Sequence, residues 1–131
     1  MVEDKSLILI IDDTADFREI FSLKLKSAGF EVVEASGGAE GISKIKVSHP
    51  DLVLLDMEMP LMNGVETLMK IKEDPATKDT RVVFLTSYGE PQEKQGWLDN
   101  KFAEELGAID YIRKTDDLDK IVGRVKDLAH K

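Results

Sequence analysis

The chain has 131 residues, none of them Cys, with 26 acidic and 18 basic side chains and a formal net charge of −8. That length fits one domain burying roughly two-thirds of its unfolded surface without staples, and the lack of Cys excludes disulfides, thiolate metal sites and thiol nucleophiles. The negative balance speaks against unspecific binding to nucleic acid or an anionic membrane. With a polar start and no apolar run near ~18 residues, the expectation is a soluble, cytoplasmic single domain over 1–131 with no output domain attached.

Leu7-Ile8-Leu9-Ile10-Ile11 is an unbroken apolar run ending at Asp12-Asp13, which predicts a strand buried on both faces. Phe17, Ile20, Phe21 and Leu25 then recur at helical spacing, with Thr14 or Asp13 as candidate caps and Gly29 beyond the end. Val32-Val33 centres a second strand, and 38–48 reads as a helix burying Ile42 and Ile45. Leu52-Val53-Leu54-Leu55 predicts the third strand, ending at Asp56, with Pro60 and Asn63-Gly64 marking the loop after it. Val65, Leu68 and Ile71 stripe a helix that stops near Asp74-Pro75. Val82-Val83-Phe84-Leu85 is the fourth strand, ending at Thr86-Ser87, and a helix follows from about Pro91 to Leu106. Ile109-Asp110-Tyr111-Ile112 is the fifth strand, ending at Arg113-Lys114, and Leu118, Ile121, Val122, Val125 and Leu128 stripe a fifth helix. Strands that are apolar on both faces and alternate with helices predict an α/β fold, a parallel sheet covered by helices on both faces with right-handed crossovers.

In such a sheet the ligand site lies outside the carboxyl ends of the strands, where the strand order reverses. Asp12 and Asp13, Asp56, Thr86 and Lys114 follow four of the predicted strands. A single Asp there is ordinary as a cap or turn residue. Three converging carboxylates repel one another, and the usual compensation is a cation. Oxygen donors with no His or Cys beside them suit Mg²⁺ rather than zinc or copper. Carboxylates, a hydroxyl and an ammonium on one rim match phosphoryl transfer, which needs charge stabilised on the transferred oxygens and permits an Asp nucleophile. Chemistry alone does not choose among the three carboxylates. Asp12 and Asp13, adjacent on one loop, make a natural metal pair, which leaves Asp56 as the acceptor.

The motifs at 7–13, 51–64, 82–87 and 107–114, in this order and spacing, resemble the receiver domain of two-component response regulators from about Leu7 to Leu128. The resemblance implies a doubly wound, flavodoxin-like receiver fold, its five-stranded parallel sheet in the order 2-1-3-4-5. It implies that Asp56 accepts a phosphoryl group from a phosphohistidine on a partner histidine kinase or phosphotransfer protein. Mg²⁺ would be bound by Asp13 and Asp56, with Asp12 assisting and the backbone carbonyl of Glu58 completing the set. Thr86 and Lys114 match the phosphoryl-binding hydroxyl and lysine, and Thr86 and Tyr111 match the switch pair. Glu58 and Tyr88 occupy positions that tune dephosphorylation in similar proteins. The output surface for a downstream protein target would be the fourth helix, fifth strand and fifth helix, with neither nucleic acid nor membrane as partner.

Three departures from the family pattern stand out. Thr115 follows Lys114 where Pro is common, Arg81 stands where Pro often precedes the fourth strand, and the stretch from Thr86 to Gly107 is longer than in typical receivers. That stretch holds Trp97, expected to pack it onto the domain, while His49 and His130 are expected at the surface. Two other functions compete. A binding module independent of phosphorylation is compatible with the departures. An Asp-nucleophile phosphatase needs a D-x-D motif, whereas here the carboxylates are adjacent, and usually a cap domain.

Overall fold

The computed structural model describes residues 6–87 and 104–130. The predicted helix from about Pro91 to Leu106, Trp97 and Tyr88 lie wholly or largely outside these residues; of that helix only 104–106 is described, and it is helical. Five strands form one sheet: β1 (Leu7–Ile11), β2 (Glu31–Ala35), β3 (Leu52–Asp56), β4 (Val82–Thr86) and β5 (Asp110–Arg113). All neighbouring pairs are parallel and the order is β2-β1-β3-β4-β5. The helices are α1 (Ala15–Ser27), α2 (Gly38–Ser48), α3 (Gly64–Glu73) and a last helix over Leu118–Ala129.

Alternate residues along each strand point to opposite faces, and the two faces carry separate cores. Ile8, Ile10, Leu52, Leu54, Val83, Leu85 and Ile112 meet Phe21 and Leu25 of α1 and Ile121 and Val125 of the last helix. Leu9, Ile11, Val53, Leu55, Val82 and Phe84 meet Ile45 of α2 and Leu68 and Ile71 of α3. The unbroken apolar strands of the sequence are therefore needed by two helical layers at once. Arg81 fastens one of those layers, its guanidinium donating to the carbonyls of Leu128 and Ala129 at the end of the last helix.

Local details depart from the sequence reading. β2 takes in the neighbours of Val32-Val33 on both sides, and as an edge strand of the described sheet it carries Glu31 and Glu34. β5 starts one residue later than expected, since the ladder with β4 begins where Asp110 pairs with Val83. Neither Thr14 nor Asp13 caps α1 with its side chain; Thr14 is the N-cap residue, and its amide donates to Asp12 Oδ1 at 2.8 Å. Ile42 is half-buried while Ile45 is buried. His49, left-handed at φ 50° past α2, and His130 are both exposed.

Candidate functional site

The carboxyl ends of β1, β3, β4 and β5 deliver the site. Asp12 follows directly on β1, its amide donating to Ala35 O at 3.1 Å and so extending the β1–β2 ladder by one residue. Its side chain is fully buried. Asp13, the next residue, lies in the bend past the strand and is exposed. Asp56 closes β3 and is buried. The sheet register sets Asp56 opposite Leu85, so β3 and β4 end almost level, and Thr86 closes β4 in a buried position. Lys114 follows β5, tied by its amide to Thr86 O at 2.7 Å.

These placements bring one carboxylate oxygen from each of Asp12, Asp13 and Asp56 within 4.8 Å of one another. The Lys114 ammonium lies 2.7 Å from Asp12 Oδ2 and 3.6 Å from Asp56 Oδ1. Burial, first, and the negative charge of Asp12 push the Asp56 carboxyl up to about 7; Lys114 and the Glu58 amide, 3.3 Å from Asp56 Oδ1, pull the other way. Asp12 Oδ2 is buried with the ammonium beside it. Three convergent carboxylates, two of them buried, and a raised acid are what a hard divalent cation would relieve, so the residues present fit Mg²⁺.

The other predicted residues sit around this centre. Glu58 is exposed on the loop after β3 and accepts from Ser87 Oγ at 3.4 Å. Tyr111 pairs with Phe84 across β4–β5 and is half-buried against the α2–α3 side of the sheet. Tyr88 is outside the described residues.

Three contributors were not singled out in the sequence. Arg18, on α1, donates to Asp12 O at 2.7 Å and to Glu34 Oε1 at 3.0 Å, tying the end of β1 to β2. Its only sequence signal was a polar place in an amphipathic helix. Phe17 belongs to the apolar stripe of α1, yet its ring lies under the Lys114 ammonium. In the sequence Gly64 marks a turn. A Cβ there would stand 2.4 Å from Asp56 O and 2.8 Å from Met57 Cα, so only glycine lets α3 start this close to the acid.

The comparisons with known proteins point one way. The family described as the response regulator receiver domain matches residues 8–126. The phosphate regulon transcriptional regulatory protein PhoB of Pseudomonas aeruginosa is 37% identical over 91% of this chain and 49% of its own length. The DNA-binding dual master transcriptional regulator RpaA of Synechocystis is 32% identical over 95% of this chain and 49% of its own length. The chain thus spans about half the length of the curated relatives it matches. Among solved structures, a putative response regulator from Chloroflexus aurantiacus superposes with a TM-score of 0.83 at 28% identity, covering 98% of this chain and 100% of its own. The Vibrio cholerae chemotaxis protein CheY4 shares the fold with a TM-score of 0.80 at 24% identity, covering 95% of this chain and 99% of its own.

Proposed function

The chain belongs to the response regulator receiver domain family, and from that premise we propose that it is a phosphorylation switch whose acceptor is Asp56. Receivers are signalling modules of two-component systems rather than classical enzymes. The observation that carries the reading is the convergence of Asp12, Asp13 and Asp56 with the Lys114 ammonium at one sheet edge.

In the proposed reaction a carboxylate oxygen of Asp56 attacks the phosphorus of a phosphohistidine on a histidine kinase or phosphotransfer protein. The P–N bond breaks, the imidazole nitrogen takes a proton, and an acyl phosphate remains on Asp56. Asp13 and Asp56, with Asp12 and the Glu58 carbonyl, would hold Mg²⁺, which when bound would supply positive charge for the phosphoryl oxygens and favour the ionised carboxylate. Lys114 and the Thr86 hydroxyl meet the remaining phosphoryl oxygens. Thr86 and Tyr111 form the switch, and Glu58 and Tyr88 set how long the phosphate survives. The surface of the predicted fourth helix, β5 and the last helix presents the result to a downstream protein.

Action as a stand-alone domain is part of the proposal. The curated relatives, about twice as long, represent the competing arrangement, in which a receiver is joined to further sequence. The mass of the protein made in its own cells separates the two. The net charge of −8 supports a receiver that does not itself hold nucleic acid.

The decisive experiment incubates the domain with Mg²⁺ and acetyl phosphate and records intact mass. Wild type gains one phosphoryl group and Asp56→Ala gains none. No adduct on wild type, or the same adduct on Asp56→Ala, overturns the reading. Partner binding unaffected by Asp56→Ala would replace it with a phosphorylation-independent module. Rapid turnover of a phosphate ester would replace it with a phosphatase.

A further inference from the structure

The Lys114 ammonium has a third neighbour besides Asp12 and Asp56: it lies 4.6 Å from the centroid of the Phe17 ring. Phe17 is half-buried near the start of α1. Its ring leans on Phe21, with centroids 5.2 Å apart and planes at 50°, and Phe21 is wholly buried in the core. The orientation of the Phe17 ring is therefore anchored from below. An ammonium over an aromatic face is attracted by the ring quadrupole, more strongly when it is partly shielded from water. Lys114 meets that condition, with its side chain only 14% exposed.

The next residue works on the other half of the same ion pair. Arg18 donates to Asp12 O, so adjacent positions of α1 hold the backbone of the acid and the head of the base. Already 2.7 Å from Asp12 Oδ2, the ammonium can come no nearer that oxygen; without the ring it is freer to swing about it towards solvent, away from Asp56, where it already stands 3.6 Å off.

We propose that Phe17 is a positioning residue for phosphoryl transfer, holding the Lys114 ammonium at the rim between Asp12 and Asp56, where the incoming phosphoryl oxygen arrives. The inference rests on the reading of Asp56 as acceptor and adds to that site a residue that touches neither metal nor phosphate.

The test measures the rate of adduct formation from acetyl phosphate at saturating Mg²⁺ for wild type, Phe17→Leu and Phe17→Tyr, and for Phe17→Leu combined with Lys114→Ala. The Lys114 side-chain proton shifts are followed by NMR in the same samples. Phe17→Leu keeps the apolar packing and removes the ring; the rate falls about three- to tenfold and the ring-current displacement of the Lys114 protons disappears. Phe17→Tyr restores both. In the Lys114→Ala background Phe17→Leu causes no further slowing, because its effect passes through the lysine. A Phe17→Leu domain as fast as wild type, equal slowing with and without Lys114, or lysine shifts indifferent to the ring each overturns this inference alone. A wild-type domain that takes no phosphate overturns the reading beneath it.

Discussion

Asp56 illustrates how burial and charge act on one group. Desolvation and the neighbouring Asp12 raise its carboxyl from an ordinary 3.8 to about 7. The folded state then binds more protons than the unfolded chain between those values, so this group favours the fold at low pH, and the contribution is lost as pH rises through 7. In the presence of a chelator, Asp56→Asn should stabilise the domain by on the order of 2 kcal/mol at pH 8, and the gain should fade as pH drops towards 4. Urea unfolding of both proteins at several pH values checks this; an equal gain at every pH would contradict it. The acids and Lys114 were legible in the sequence because each follows an apolar strand, and chain order alone puts strand ends on one edge. Phe17 was not. Helical periodicity says that it faces inward, but only the packed fold says that Lys114 lies over it.

At the scale of the element, α3 is shaped by the acid before it. Asn63 and Glu66 form a capping box, with Asn63 Oδ1 accepting from the Glu66 amide at 2.8 Å and the Glu66 carboxylate accepting from the Asn63 amide at 2.9 Å. The Gly64 amide donates to Met57 O at 2.9 Å, drawing the helix start onto the loop after β3. Gly64→Ala forces a Cβ against the Asp56 carbonyl. It should cost about 1–3 kcal/mol and slow phosphorylation, since the atoms that must yield belong to the backbone carrying the proposed acceptor. Denaturant melts and the acetyl phosphate assay read both effects, and wild-type values in each would refute the steric argument. In the sequence Asn63-Gly64 announced only a turn. The close approach at Gly64 depends on where β3 and α3 meet, which local patterning does not encode, whereas the Asn63-x-x-Glu66 spacing of the capping box is a local signal that the turn reading passes over.

For the whole molecule, the sheet is a frame that holds mutually repelling groups together. A divalent cation binding the native acidic cluster but hardly the unfolded chain stabilises the fold by mass action. Mg²⁺ at about ten times its dissociation constant should raise the melting temperature by roughly 3–6 °C, and Asp13→Asn should lose most of that shift. A calorimetric scan with and without the ion decides it, and an unchanged midpoint removes the metal from the scheme. The strand order was legible through resemblance, and the two-faced burial through the apolar runs of β1, β3 and β4, which leave no side for water.

The parallel sheet has one further consequence, for engineering. Among the described residues, the connections from a helix into the next strand turn at the edge opposite the carboxylates, as at Gly29 and around Lys78 and Asp79, three exposed residues. A strand of five residues separates that edge from the chemistry by about 15 Å. Length can be added or a reporter spliced in there while the acidic pocket keeps its geometry, whereas a single inserted residue at the other edge would rotate an acid out of it.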